Sequence, residues 1–301
     1  MTPKVLVIIV TYNALQWIEK TIESLKASSV PTDIIIIDNC STDNTNKYIA
    51  ETYSDITFVQ NTTNLGFGQA NNIGLKHAIS LNYDYVYLLN QDAWIKKDTL
   101  EILIHTHQKH PEYGILSPIQ VQANEKNMDN NFLKYVAPAT IGKSLLNDIY
   151  FGNTDEVYEV NDVMAAHWLI CKDCLMKVGG FSPAFHHYGE DNNYIDRARY
   201  HNFKVGIVPT AIGIHDRENR KDSFECKLKN LNLSTLIKIN DITEKIDWWK
   251  IVKRYIQFTY KQKTLKHFRF AFQLVKNLGK ILTYRKQTTG DGAFLDTIMN
   301  K

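Results

Sequence analysis

Three clusters of polar residues, each placed directly after an apolar run, carry the groups of this chain that are best suited to bind a ligand. The clusters contain Thr11, Tyr12 and Asn13, then Asp38 and Asn39, and then Asn90, Gln91 and Asp92. Ligands of open α/β sheets bind beyond the carboxyl ends of the strands, so these residues are expected on one rim of a sheet. The pattern predicts a nucleotide site, with Asp92 near a cofactor or metal. A turn or a helix cap is the simpler alternative for each cluster considered alone.

Glu190 and Asp191 are the candidates for acid–base catalysis. They stand at the start of a helix predicted over residues 192–201. A helix N-terminus stabilises anions, and a general base must be an anion when it takes up a proton. Ordinary helix N-terminal charge explains the same pair, so these two residues alone do not identify a catalytic site.

The elements that must position these side chains alternate between apolar runs and amphipathic segments. The predicted strands cover residues 4–11, 33–38, 57–60 and 85–89, and helices are predicted over 15–28, from an N-cap at Ser41 to about 51, and from the turn 64–68 to 79. Uninterrupted β-branched runs are typical of strands buried on both faces. Strands that alternate with helices predict a doubly wound, mostly parallel α/β sheet.

The glycine-rich turn at Gly66, Phe67 and Gly68 partly matches a dinucleotide-binding fingerprint. It follows the third predicted strand rather than the first, and the third glycine of the fingerprint is absent. Both departures count against a dehydrogenase.

Composition indicates a soluble globular protein of one large domain or two smaller ones. The chain has 301 residues, of which 44% are hydrophobic and 22% are charged. Four scattered cysteines do not make a disulfide framework, and no signal segment or membrane-length apolar run is recognisable, which favours a reduced, cytoplasmic compartment. Cys171 and Cys174 have the spacing of half a zinc site, but no second pair follows.

The tail differs in charge from the body. Residues 245–286 contain twelve Lys or Arg and one acid, so this segment carries +11 and the rest of the chain, by difference from the net +3, carries −8. Apolar residues recur there at three- and four-residue spacing, which predicts a basic amphipathic helical region over 219–301. Its apolar face could pack on the body or a second subunit, as in a homo-oligomer, or lie on an anionic membrane surface, which we favour. No nucleic-acid-binding module is visible.

The ordered set of motifs resembles glycosyltransferase family 2. It consists of Thr11-Tyr-Asn13, Asp38-Asn-Cys-Ser-Thr-Asp43, Asn64-Leu-Gly-Phe-Gly68, Asn90-Gln-Asp92, Val178-Gly-Gly-Phe181, Tyr188-Gly-Glu-Asp191, and Val208-Pro209 with His215. The sequences of these motifs are most similar to those of the branch that contains bacterial rhamnosyltransferases of surface-polysaccharide assembly. The resemblance implies a GT-A fold with a catalytic domain over 1–218, and an inverting transfer of a sugar from a nucleoside diphosphate.

The same resemblance implies roles for individual residues. Asp38 would lie against the nucleobase, Asp92 and His215 would bind Mn²⁺ or Mg²⁺, Asp191 would be the general base, and Glu190 would orient the acceptor or its loop. A cation that keeps water and phosphate ligands can tolerate a motif with one carboxylate. The expected contacts to the nucleotide sugar are Thr11, Tyr12, Asn13, Asp38, Asn39, Gly66, Phe67, Gly68, Asn71, Asn90 and Gln91.

The acceptor side departs from the branch. The residues that are usual in the branch are replaced there by Ser182-Pro183, His186-His187 and Asn193.

Residues 120–159 are expected to form a variable lid over the site. Trp168 is expected in the core rather than on a sugar.

The resulting hypothesis is a peripheral enzyme on the cytoplasmic face of the cell membrane, acting on a saccharide or lipid-linked saccharide acceptor. A rhamnosyl donor is favoured over a UDP-hexose or UDP-galactofuranose. A non-catalytic nucleotide-sugar-binding scaffold protein is the alternative of a different class.

Overall fold

The computed structural model describes residues 2–136, 145–217, 224–263, 265 and 267–295, with 224–229 described by their backbone alone. The strands are β1 Val5–Thr11, β2 Asp33–Asp38, β3 Thr57–Gln60, β4 Tyr85–Asn90, β5 Ala93–Ile95, β6 Tyr113–Val121, β7 Tyr158–Glu159, β8 His167–Cys171 and β9 Lys204–His215. The helices are α1 Ile18–Lys26, α2 Thr45–Thr52, α3 Phe67–Ser80, α4 Thr99–Lys109, α5 Phe132–Val136, α6 Leu145–Phe151, α7 Lys172–Val178, α8 Glu190–Tyr200, α9 Phe224–Asn240, α10 Trp248–Gln262 and α11 Phe268–Gln287.

One nine-stranded sheet runs through these residues, and its first half is parallel, as the sequence predicts. The order is β3-β2-β1-β4-β8-β6-β9-β5, with β7 beside β9. Thr11 pairs in register with Asp38, and Val10 with Asn90, so the carboxyl ends of β1, β2 and β4 meet at one rim. The continuous β-branched runs of β1 and β2 are almost entirely buried, and α3 packs on both strands.

Three predicted helix starts are wrong. The helix predicted over 192–201 begins at Glu190, so it includes both Glu190 and Asp191. The first helix begins at Ile18 rather than at 15, because residues 14–17 form a turn in which the Trp17 amide donates to the Ala14 carbonyl at 2.9 Å. The second begins at Thr45 rather than after Ser41, whose hydroxyl donates to Asp38 instead of capping a helix.

Antiparallel strands build the second half of the sheet. β8 lies antiparallel between β4 and β6, while β9 runs parallel to β6 and antiparallel to β5. The pairing of β5 with β9 sets Ala93 opposite His215. It therefore brings the end of the last strand to the residue that follows Asp92.

Buried polar side chains form hydrogen bonds to the backbone of residues 178–181, in the segment that leads into α8. The side chain of Asn72 accepts from the Phe181 amide at 2.6 Å and donates to the Phe181 carbonyl at 2.9 Å. Arg197 is fully buried and donates to the carbonyls of Gly180 and Val178. Trp168 is also fully buried and stacks on Phe181, which confirms it as a core residue.

Three helices follow the sheet. Leu231, Ile239, Ile251, Tyr255, Leu274 and Ile281 form a separate apolar cluster among α9, α10 and α11. The Arg285 guanidinium ties α11 to the end of α9 by donating to the Ile239 carbonyl at 2.8 Å. The predicted boundary at 218/219 lies outside the described residues, so the division into two domains stays a prediction. In the described chain, none of the helices combines the length and apolarity that a membrane span requires.

Candidate active site

Asp38, at the end of β2, is the centre of a buried hydrogen-bond network. Its carboxylate accepts from the Thr11 hydroxyl at 3.0 Å, the Ser41 hydroxyl at 2.5 Å and the Ser41 amide at 3.0 Å. Asp38 and Thr11 are both fully buried. Asp38 thereby holds the turn that follows its strand, in addition to the nucleobase contact predicted for it.

Asn13 and Gln91 connect this turn to its neighbours. Asn13 has a left-handed backbone with a φ of 54°, and its side-chain oxygen accepts from the Thr42 amide at 2.8 Å. The Gln91 side chain accepts from the Tyr12 amide at 2.6 Å and donates to the Tyr12 carbonyl at 3.2 Å. Tyr12 itself is about half exposed (47%), so its ring is free to contact a ligand at the rim.

The loop before α3 closes the rim on one side. Asn39 is buried and accepts from the Leu65 amide at 2.9 Å, which ties the loop to β2. Gly68 packs against the side chains of Phe181 and Glu190, so the start of α3 lies beside the start of α8. Phe67 packs edge-on against Phe181, whereas Asn71 is buried and donates to the Phe67 carbonyl within α3.

Gly66 is the residue of this loop that is least able to change. It has a φ of +79°, and a Cβ there would lie 2.0 Å from the His186 carbonyl oxygen. We expect Gly66→Ala to lower the free energy of unfolding by about 1–3 kcal/mol, because both the backbone and the neighbouring loop must shift. Urea unfolding measures this change.

Gly279→Ala in α11 is the matched control. Apart from its own helix backbone and chain neighbours, no described heavy atom lies within 4 Å of its added Cβ, so the better helix propensity of alanine should raise stability by about 0.5–1 kcal/mol. Equal effects of the two substitutions would contradict the close approach at Gly66.

Asp92 and His215 form the pair that is best suited to bind a metal. Asp92 Oδ1 lies 3.4 Å from His215 Nε2, and His215 is almost fully buried. The Asp216 amide donates to the Asp92 carbonyl at 2.8 Å, which fixes the two chain segments together. Burial raises the pKa of Asp92, but the imidazole of His215 outweighs burial, and the pKa lies below its usual value.

This donor pair fits a hard divalent cation. Ligand atoms about 2.1 Å from one ion lie about 3 Å apart at adjacent octahedral positions, which is close to the observed 3.4 Å. Within the described residues no group of three His, Cys, Asp or Glu side chains forms a complete site. Phosphate oxygens and water would therefore have to supply the other ligands. His215 Nδ1 is buried and has no hydrogen-bond partner in the described chain.

His167 supports this pair and was missed by the sequence analysis. Its Nε2 donates to the Ile214 carbonyl at 3.1 Å, and its Nδ1 accepts from the Tyr87 hydroxyl at 2.8 Å. Burial, aided by the nearby His215, lowers the pKa of His167 to about 3, so the ring is neutral. A neutral ring that is bonded at both nitrogens positions the end of β9 and is not a proton carrier at pH 7.

The carboxyls of Glu190 and Asp191 differ from the expected pair of anions. Burial, followed by the charge of Asp191, raises the pKa of Glu190 to about 8. Burial also raises the pKa of Asp191 to about 6, with the Asn192 amide opposing and the Asp162 carboxylate adding to the increase. Loss of solvent thus outweighs the helix terminus. At pH 7 Glu190 is mostly protonated and Asp191 is mostly an anion.

Arg217 is a second residue that the sequence analysis missed. It is exposed two residues beyond His215, and its charge contributes to the lowered pKa of Asp92 and opposes the increase that burial causes in the pKa of Asp191. No ion pair engages it in the described part of the chain. Arg217 is therefore a cation within electrostatic range of both Asp92 and Asp191. The signal in the sequence was its position two residues after His215, which the resemblance already implied as a metal ligand.

The predicted lid is described only in part. α5 and α6 flank residues 137–144, which lie outside the described residues.

A cavity of about 370 Å³ is lined by Lys238, Asp241, Glu244, Lys245, Asp247, Lys250 and Ile251. It lies among the C-terminal helices and contains none of the predicted site residues.

The sequence of this chain is similar to those of known proteins. The model of glycosyl transferase family 2 matches residues 6–162. The low-salt glycan biosynthesis hexosyltransferase Agl10 of Haloferax volcanii is 24% identical over 222 residues, which cover 73% of this chain and 69% of Agl10.

Solved structures show the same fold. The mannosyltransferase PcManGT of Pyrobaculum calidifontis, in complex with GDP-Man and Mn²⁺, has a TM-score of 0.58 and 18% identity, covering 96% of this chain and 84% of that protein. S. aureus TarS 1–349 in complex with UDP has a TM-score of 0.55 and 18% identity, covering 95% and 80%. A longer TarS chain is covered over 40% of its length, and 79% of this chain aligns with it at a TM-score of 0.54 and 19% identity. These likenesses confirm the GT-A type α/β fold.

Proposed function

Because this chain belongs to glycosyl transferase family 2 and is a glycosyltransferase, we propose that it is a metal-dependent, inverting enzyme that uses a nucleoside-diphosphate sugar. The observation that carries the proposal is the placement of the Asp92–His215 pair, at 3.4 Å, beside a rim that also contains Asp38. Asp191 stands at the start of α8, which lies beside the start of α3, directly after the loop that closes that rim.

The donor would occupy the rim formed by β1, β2 and β4. Thr11, Asn13 and Asp38 would line the base pocket, and Gln91 would hold Tyr12 in position beside it. Asp92 and His215 would bind Mn²⁺ or Mg²⁺, which neutralises negative charge on the leaving diphosphate. Arg217 would add a second positive charge at the same diphosphate, where departing charge must be stabilised.

Asp191 would take the proton from the acceptor hydroxyl. The hydroxyl oxygen forms a bond to the anomeric carbon while the bond from that carbon to the diphosphate oxygen breaks on the opposite face, which inverts the configuration. A base with a pKa of about 6 is deprotonated at neutral pH and still basic enough to accept a proton in the transition state. The protonated carboxyl of Glu190 would donate a hydrogen bond that orients the acceptor or its loop.

The proposed donor is dTDP-rhamnose, because the motif sequences are most similar to those of the rhamnosyltransferase branch. A UDP-hexose or UDP-galactofuranose is the alternative. The similar solved structures contain UDP, UDP-GlcNAc or GDP-Man. These ligands support a nucleotide-sugar donor without selecting one. We further propose a saccharide or lipid-linked saccharide acceptor in bacterial surface polysaccharide synthesis, and a peripheral location on the inner face of the cell membrane.

A non-catalytic nucleotide-sugar-binding scaffold is the second candidate function. The observation that favours it is the Asn90-Gln91-Asp92 motif, which has one acid where the family pattern has two. Donor hydrolysis or transfer by the purified protein separates the enzyme from the scaffold.

A thermal-shift panel tests the donor site. Nucleoside diphosphates and nucleotide sugars are each added with Mn²⁺, Mg²⁺ or chelator, and one nucleotide is expected to raise the Tm by a few degrees only when metal is present. A ligand at about 100 times its Kd stabilises the native state by about 2.7 kcal/mol. If no compound of the panel raises the Tm under any condition, the proposed donor site is contradicted.

A further inference from the structure

Helix α10 carries two apolar faces, and only one of them is buried. Ile251, Tyr255 and Phe258 point into the cluster among the C-terminal helices. The outward face has the spacing of a second helical stripe and contains Trp249, Val252, Ile256 and Tyr260, which are 77%, 47%, 58% and 88% exposed. Packing of α10 on the protein therefore does not account for its outward face.

Helix α11 repeats this arrangement. Leu274 and Ile281 are buried in the same cluster, while Phe268, Phe272 and Val275 lie along an exposed stripe. Phe272 is 72% exposed, and Leu265, in the turn between the two helices, is 67% exposed. Large apolar side chains repeated at helical spacing on two consecutive helices make up a surface rather than scattered exposed residues.

Basic residues accompany both stripes. The exposed ones are Lys250, Lys253 and Lys261 on α10, and Arg269, Lys276 and Lys280 on α11. The segment that contains them has a single acid, Asp247, whose side chain caps α10 by accepting from the Lys250 amide. Aromatic and aliphatic side chains flanked by lysines match the boundary between acyl chains and anionic headgroups.

We propose that the outward faces of α10 and α11 form a binding surface for an anionic lipid bilayer, on which the helices lie without crossing it. This inference rests on the proposed peripheral location and names the residues responsible for it. Charge complementarity favours lipid over a second copy of the chain, because a second copy would place two strongly basic segments against each other. It also explains why the exposed aromatic residues occur within the most basic segment.

Co-sedimentation of the full chain with vesicles tests the surface, without donor or metal so that its result is independent of catalysis. Binding is expected to vesicles of phosphatidylglycerol and phosphatidylcholine, to be weaker with phosphatidylcholine alone, and to fall as salt rises from 0.1 to 0.5 M. The double variant Trp249→Ser with Phe272→Ser should lower vesicle affinity at least about tenfold. Leu81→Ser, which alters a 46% exposed apolar residue directly after α3, should leave this affinity unchanged.

Charge reversal supplies a second readout. Lys253→Glu with Lys276→Glu should remove the preference for the anionic vesicles, whereas Lys126→Glu, at an exposed residue outside the C-terminal helices, should not. Two results would overturn the proposal. One is a wild-type protein that does not sediment with anionic vesicles. The other is a concentration-dependent dimer, seen in sedimentation velocity, that the Trp249/Phe272 variant dissociates while vesicle binding persists.

Discussion

Asp191→Asn is expected to lower kcat by about 100- to 10,000-fold while donor affinity stays within about twofold of the wild type. The substitution keeps the size of the side chain and removes the group that would accept the acceptor proton. Asp191 does not belong to the Asp38 network or the Asp92–His215 pair, so the donor site should be intact. Single-turnover transfer assays measure the rate, and thermal shift with the donor measures binding.

The wild-type pH profile follows from the same carboxyl. Asp191 must be deprotonated to act, and its pKa is about 6, so kcat/KM should fall about tenfold per pH unit below pH 6. The group loses its function as the pH falls through this pKa, and not as the pH rises. The residual activity of Asp191→Asn should lack this low-pH limb.

Glu190→Gln is the matched control, since it removes an adjacent carboxyl in the same helical turn. Glu190 has a pKa of about 8 and is mostly neutral at pH 7, so a neutral amide replaces a neutral acid. We expect a loss below about tenfold at pH 7 and the disappearance of any decline above pH 8. If Glu190→Gln were the more damaging change, Glu190 rather than Asp191 would be the base.

The parallel half of the sheet could be predicted from sequence because each strand there is a continuous buried run. β2 and β3 have the predicted bounds, and β1 and β4 differ from theirs by one residue. The common rim could also be predicted, because the parallel order of β1, β2 and β4 places the residues that follow them close together. These predictions needed only local pattern and the rule for parallel sheets.

The second half could not be predicted in the same way. β8 inserts antiparallel between β4 and β6, and such a position depends on pairing between residues far apart in the chain. The adjacency of Asp92 and His215 follows from the β5–β9 pairing. The resemblance proposed both residues as ligands, but no spacing in the sequence shows that they meet.

Buried polar residues were the other difficulty. Asn72 and Arg197 are bonded to backbone groups of the 178–181 segment, and backbone partners leave no mark on the sequence. The pKa values of Glu190 and Asp191 are raised mainly by burial, which the sequence does not show. From sequence alone, an acidic residue at a helix N-terminus is predicted to be a solvent-exposed anion, because the packing around it is not known.

Asp92→Asn is expected to abolish the metal-dependent part of donor binding and to lower kcat/KM about 100-fold or more at saturating Mn²⁺. The variant keeps an oxygen that can accept from His215 but loses the charge that a divalent cation requires. His215→Ala should act in the same direction, because the two side chains would share one ion. Donor titrations with Mn²⁺ and with chelator measure the loss directly.

Asp216→Asn separates a metal ligand from a general loss of negative charge. Asp216 is adjacent to His215, and its carboxylate accepts from the Trp17 indole at 3.1 Å, a bond that asparagine can keep. Its metal response should equal that of the wild type. If Asp216→Asn loses the response while Asp92→Asn retains it, the ion lies on the other carboxylate. If transfer by the Asp92 variant proceeds at the normal rate with chelator present, the reaction does not need a metal at Asp92, and Arg217 becomes the main candidate to neutralise the departing diphosphate.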